Sequence, residues 1–199
     1  MPLTARFSPK TGHGSVEPNR TLRQQPWWVD TVENRVSLFG MILLATYAPK
    51  EAGALSGVTS DVQREWRRRK LMPFMVPSQE SREWKNFDLW EVSALTIMRT
   101  LSEFEVPLGT ARTIAEASAN HVVVFILERL DLKKSCFGLV KNWKAQRFVV
   151  IGSDKVPQFS DDLEKLLLRQ NSPATTSLDL EKIADLMIDR ATRPFVEEA

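Results

Sequence analysis

At 199 residues the chain is long enough for one ordinary domain, or two small ones sharing a core. Its 43% hydrophobic and 26% charged residues are ordinary globular values, and a net charge of +2 does not mark a nucleic-acid binder, so any such role must rest on local clustering. One cysteine, Cys136, and two histidines, His13 and His121, exclude an internal disulfide and a multi-cysteine zinc site; the single thiol fits a reducing compartment, and no metal or other cofactor is expected.

Residues 1–26 carry Pro2, Pro9, Pro18 and Pro26 with Gly12, Gly14 and several basic side chains, and show no apolar period. A disordered basic arm is expected over residues 1–35, with a phosphate-tracking tail as its functional counterpart. Trp27 and Trp28 are expected to dock this arm onto the body rather than form an exposed partner site. Residues 36–48 (VSLFGMILLATYA) are apolar but fall well short of the roughly 20 residues that span a bilayer. Asp30 and Glu33 precede them, and the run lies deeper than a secretory leader. A buried strand or helix is expected there, with no membrane association.

Residues 47–87 form the stretch around which the chain is organised. Pro49 suits the first turn of a helix, where its missing N–H costs nothing. Ala52, Gly53 and Leu55 keep one face small, so that a second helix can cross closely. Gly57 makes the break, since glycine alone takes a positive φ without penalty. Ser60 is then expected to start the second helix, with Gln63 completing a capping-box pattern. Helical geometry places Val62, Trp66 and Arg69 on one side and Ser60, Asp61, Arg64, Arg67 and Arg68 on the other. The first side suits a core. The second has the chemistry to lie in a major groove, because guanidinium forks pair with guanine edges or phosphates. Leu71-Met72-Pro73 ends the helix. In residues 74–87 the alternation of Arg82 with Trp84 and of Lys85 with Phe87 suits a short twisted hairpin, a wing that holds its basic side chains toward phosphates.

This ordered series resembles the winged DNA-binding domain of the MerR (mercury-resistance regulator) family of bacterial transcription factors. The residues that carry the resemblance are Gly53, Gly57-Val58, Arg64 with Trp66, Leu71-Met72-Pro73, Lys85 with Phe87, Asp88, and Val106-Pro107-Leu108. It covers residues 46–118, somewhat over a third of the chain. Three features depart from the family's pattern. Lys70 stands where a glycine is usual, no long dimerising coiled coil is evident, and the metal-sensing cysteines have no equivalent. The resemblance therefore implies DNA binding, without metal sensing or the promoter-untwisting mode of activation.

Asp88 opens the next helix, in which Trp90, Ala94, Ile97, Leu101 and Phe104 recur at core spacing. Pro107 restarts the chain, and Leu108, Ala111, Ile114 and Ala115 make a small apolar face. Residues 121–130 (HVVVFILERL) must be buried against the domain or a second subunit, with His121 structural at their head. Residues 137–140 and 147–151 read as the two strands of a β-hairpin, closed by Gly152-Ser153-Asp154. Cys136 beside them is an inert thiol. A short helix over residues 161–169 is expected to be capped by Ser160, with Leu163, Leu166 and Leu167 inward. Leu180, Ile183, Ala184 and Met187 mark a final amphipathic helix.

The expected fold is α+β, mainly helical. A basic arm (1–35) leads into a winged helix-turn-helix domain (36–118), followed by a small α+β C-terminal region (119–199) for dimerisation or partner binding. The expected function is that of a sequence-specific transcriptional regulator, not an enzyme, acting as a cytoplasmic, nucleoid-associated homodimer on double-stranded DNA. Helix 60–71 would enter the major groove and the wing 74–87 would lie on the backbone. The candidate DNA-contacting residues are Ser60, Asp61, Arg64, Arg67, Arg68, Arg82 and Lys85. Two other readings fit the same residues. One is an excisionase-like architectural factor that bends DNA; the other is a protein-interaction module in which the helix-turn-helix is a relic.

Overall fold

The computed structural model describes residues 45–74, 86–133, 143–153, 155–170 and 175–195. Among these the chain is α+β and mainly helical, with six helices and a three-stranded antiparallel sheet. In chain order they are α1 (Pro49–Ser56), α2 (Ser60–Arg68), α3 (Leu89–Glu103), α4 (Leu108–Arg129), β1 (Phe148–Ile151), β2 (Pro157–Ser160), α5 (Leu163–Arg169), β3 (Thr176–Asp179) and α6 (Leu180–Arg190). The basic arm and the tryptophan pair lie outside the described residues, as does the apolar run before Ala45.

The α3–α4 hairpin is the scaffold. Asp88 caps α3 as expected: its Oδ1 accepts from the Glu91 N–H at 2.8 Å, while Glu91 Oε2 accepts from the Asp88 N–H at 3.0 Å. From Leu89 to Met98 every side chain of α3 is buried, so this helix is enclosed on all sides rather than amphipathic. It ends where Glu105 takes a φ of 58° and Val106 donates back to the Leu101 carbonyl at 3.1 Å. After Pro107 the chain turns back as α4, and Trp90 Nε1 donates to Asn120 Oδ1 across the pair.

α4 is one continuous helix of 22 residues, where the sequence suggested an apolar face at 108–115 and a separate segment at 121–130. Nothing in Glu116-Ala117-Ser118-Ala119-Asn120 breaks a helix, so the two run together. The boundary expected between residues 118 and 119 falls within it. Val122, Val123, Val124, Ile126 and Leu127 are buried within this one chain, against α3 and α6.

The sheet has the order β2-β1-β3. Val149 faces Phe159 on one side and Leu178 on the other. This corrects the expected hairpin partner: both edges of β1 are occupied by β2 and β3, which leaves no edge for residues 137–140. Those residues, and Cys136, lie outside the described ones. Gly152 and Ser153 instead lead from β1 into β2.

Two details of α5 also differ from expectation. Its cap is Asp162, whose carboxylate accepts from the Lys165 N–H at 3.0 Å, because Ser160 is the last residue of β2. Only Leu166 is buried; Leu167 and Leu168 face outward, since this short helix covers the sheet with a single turn. α6 behaves as read, with Leu180, Ile183, Ala184 and Met187 inward. Arg129 of α4 ties it down through Asp185 at 3.0 Å and Glu181 at 2.6 Å.

Beyond α6 the chain returns to the residues that lead into α1. The Phe195 carbonyl accepts from the Ala45 N–H at 3.0 Å, and the Arg193 guanidinium lies 4.6 Å from the centre of the Tyr47 ring. Most of the buried apolar residues accordingly form one cluster running from Ala45 to Phe195; Val150 and Leu166 lie apart from it. Among the described residues no helix is long and apolar enough to cross a membrane.

Candidate nucleic-acid interface

The α1–α2 turn is built by close backbone approach. Pro49 is the first residue of α1, and Glu51 Oε2 accepts from the Ala48 N–H at 2.9 Å. Gly57 ends α1 with a φ of 74°, its N–H donating to the Gly53 carbonyl at 2.9 Å. Gly53 is small by necessity, since a Cβ there would stand 2.8 Å from the Val58 carbonyl oxygen and 3.0 Å from Gln63 Nε2. The Ser56 hydroxyl donates to the Ala52 carbonyl at 2.6 Å and accepts from the Val58 N–H at 3.2 Å.

Gln63 has a different role from the one read in the sequence. The N-cap of α2 is Thr59, whose Oγ1 accepts from the Val62 N–H at 3.4 Å, so Ser60 is already the first helical residue. Gln63 points inward and is 1% exposed. Its Nε2 donates to the Pro49 carbonyl at 3.0 Å and the Val58 carbonyl at 2.9 Å, stapling the second helix to the first and to the turn. A buried amide that bridges two backbone carbonyls is a costly group to lose.

Trp66 is buried and Val62 packs partly beneath it, which leaves the opposite face of α2 to solvent. Ser60 and Asp61 are exposed in the first turn. Arg64 is 68% exposed and pairs with Asp61 at 3.1 Å. Arg68 is 72% exposed and grips Glu65 with both nitrogens at 2.8 Å. Arg67 departs from the expected outer row: four residues after the buried Gln63, it shares that flank and is half-buried. Arg69, read as part of the inner side, is the C-cap and pairs with Glu65 as well. Arg82 and Lys85 lie outside the described residues.

Glu65 was missed as a member of this face. Arg68 and then Arg69, hydrogen-bonded to its carboxylate, hold it down to about pKa 2, so it is a permanent anion among the guanidinium groups. Its spacing to Arg68 and Arg69, three and four residues, is the sequence signal that would have found it.

The end of α2 is fixed from α4. Lys70 takes a φ of 57°; its N–H donates to the Arg67 carbonyl at 2.9 Å, and the Leu71 N–H to the Trp66 carbonyl at 2.8 Å. These are the two bonds of a Schellman ending. Arg112 Nη1 donates to the Lys70 carbonyl at 2.9 Å. Glu116 Oε1 accepts from Arg112 Nε at 2.9 Å and from the Phe74 N–H at 2.8 Å. The chain that leaves at Phe74 returns beside Tyr47, where Phe87 and Tyr47 exchange two N–H···O bonds of 2.8 Å in antiparallel register. Both ends of the 75–85 connection are thereby tied to the body.

His121 Nδ1 accepts from the Gln146 N–H at 2.8 Å, with the ring stacked 4.6 Å from Phe159. Burial pushes its pKa down to about 4, against the opposing pull of Asp161, so the ring is neutral near pH 7. Among the described residues no group of three or more His, Cys, Asp or Glu side chains is arranged to hold a metal ion. No protein-family model matches this chain, and no curated protein matches its sequence.

Proposed function

We propose that the chain is a sequence-specific DNA-binding transcriptional regulator built on a MerR-like winged helix-turn-helix. The observation that carries the reading is α2 itself. It is anchored on one side by Trp66 and Gln63 and presents Ser60, Arg64 and Arg68 to solvent on the other. Two further features support it. The order α1, turn, α2, tied connection, α3, α4 is the one the resemblance implies. The Tyr47–Phe87 pairing sits where the base of a wing would close, with Arg82 and Lys85 in the connection it closes.

In this reading the start of α2 enters the major groove, and Arg64 and Arg68 exchange their carboxylate partners for base edges or phosphates. Each bidentate base contact contributes about 1–3 kcal/mol of discrimination. One such helix makes few contacts, so a cytoplasmic homodimer reading two half-sites is the working form. Selection of bound sequences from random double-stranded DNA at two salt concentrations tests this directly, followed by the R64A/R68A double substitution. The expected result is a selected site with two-fold symmetry and loss of retention in the double variant. Unchanged affinity in a folded double variant would end the proposal.

A further inference from the structure

Arg190 closes α6, the last helix, far from the helix-turn-helix in sequence but not in space. Its Nη1 stands 2.9 Å from the point a Cβ on Gly57 would occupy, so the guanidinium lies directly on the exposed α1–α2 turn. Thr59, the cap of α2, is two residues from Gly57 and therefore within about 7 Å of it along the chain. The other guanidinium groups around this face are already engaged. Arg64 holds Asp61, Arg68 and Arg69 share Glu65, and Arg193 holds Glu51 at 3.3 Å. Among the described residues Arg190 carries no ion pair or hydrogen bond. It has no carboxylate three or four residues earlier in α6, where Met187 and Leu186 stand, and the nearby Asp185 is taken by Arg129.

An exposed guanidinium held without a counter-ion beside the start of α2 is placed to meet an anion that arrives there. On the reading proposed above, that anion is a backbone phosphate flanking the groove that α2 enters. We infer that Arg190 is a DNA-contacting residue, supplied by the C-terminal helix, which binds a phosphate on the α1–α2 turn side of the recognition helix. α6 thus does more than cover α4. Its position is set by Arg129 and by the Ala45–Phe195 and Arg193–Glu51 contacts, which fix where Arg190 stands over the turn.

The inference rests on the DNA-binding reading, and the test separates the two. The full chain is measured as wild type, R64A/R68A, R190A and R190K against the duplex recovered by selection, at 50 mM and 200 mM salt. One phosphate contact is about 0.9 of the slope of log affinity against log salt. The R190A slope is therefore shallower by about 0.9, and the ratio of wild-type to R190A affinity shrinks about 3.5-fold between the two salt concentrations. R190K keeps most of the slope, and the preferred sequence is the same in all binding-competent forms. An R190A slope equal to wild type overturns the inference, whether or not affinity falls, since a packing role over Gly57 would weaken binding equally at both salts. In that case continued loss of binding in R64A/R68A leaves the DNA reading standing. A wild-type chain that retains no duplex removes both.

Discussion

Lys70 offers a direct test of how α2 is terminated. It stands where the resembled family has glycine, and its φ of 57° is the left-handed conformation that glycine adopts freely. Its backbone is held on both sides, donating to the Arg67 carbonyl and accepting from Arg112 at 2.9 Å, so the residue cannot relax out of that region without breaking the Schellman ending or the Arg112 contact. A residue with a Cβ costs roughly 1–2 kcal/mol there. Glycine removes that cost but loses about 0.4–1 kcal/mol through the greater freedom of the unfolded chain. Lys70→Gly and Lys70→Ala both delete the ammonium group, so the difference between them isolates the backbone. We expect Lys70→Gly to be more stable than Lys70→Ala by about 0.5–1 kcal/mol, or about 1–4 °C in Tm for a chain of this size. Paired urea and thermal unfolding of the two variants measures it. A Lys70→Ala protein more stable than Lys70→Gly would show that residue 70 is not left-handed, and the account of the α2 terminus would fail with it.

Gly53→Ala should cost about 1–3 kcal/mol from overpacking, offset by about 1 kcal/mol of helix propensity. The reason is that the new methyl meets the backbone oxygen of Val58, which cannot swing away. Gly109→Ala, in α4 with nothing within 4 Å of its Cβ position, should be neutral or up to about 1 kcal/mol stabilising, and chemical denaturation of the pair distinguishes the two sites. His121 has a folded pKa near 4, below its ordinary 6.5. The unfolded chain therefore binds the extra proton between those values: its contribution to stability is fully present above about pH 6.5 and is lost as pH falls toward 4, by at most about 1.4 kcal/mol per pH unit. His121→Gln should flatten this dependence, and an NMR titration that placed the imidazole near 6.5 in the native protein would contradict the assignment. Glu65→Gln removes the carboxylate that Arg68 and Arg69 share and that would face the duplex once they leave it, so on the proposed function it should raise affinity for double-stranded DNA in a binding titration; an unchanged affinity would mean these arginines do not face the duplex.

What was legible in the sequence was local. Pro49, Gly57 and Asp88 act through their own backbone and their immediate neighbours, and each stands where its chemistry suggested. The periodicity of α6 reported its buried face because burial there repeats with the helical turn; that of α3 did not, since residues 89–98 are buried all round and Phe104, read as core, is 68% exposed. The misreadings were tertiary. Gln63 has the right spacing for a capping box, but two carbonyls of the preceding helix and turn compete for its amide, and no local pattern reveals them. β1 was paired with the wrong run because strand pairing is set by what lies alongside in space, and β3 comes from a segment 25 or more residues away. The outer face of α2 was right for Arg64 and Arg68 and wrong for Arg67, because a helical wheel cannot tell how far up its flanks the core reaches. Arg190 could not be found at all, since only the fold brings it to Gly57.

The carboxylates on α2 raise a question that the guanidinium groups alone do not. Residues 61–70 hold five cations and two anions, Asp61 and Glu65, and each anion is bonded to an arginine proposed to touch DNA. In these pairs Asp61, Arg64 and Arg68 are largely exposed and Glu65 partly so, so the pairs contribute little to stability and exchange readily for phosphate oxygens. The exchange is not free of consequence, because the released carboxylate then faces the duplex. Beside a phosphate it is repelled; beside the amino group of cytosine it accepts a hydrogen bond. A helix of this kind therefore binds any duplex less well than its cation count suggests, and binds best where its carboxylates find donors. Asp61, one turn before Glu65 and nearer the start of α2, reaches the groove floor first on the proposed docking. The same side chains that weaken α2 as a general anion binder are thus the ones that would make it a reader of sequence.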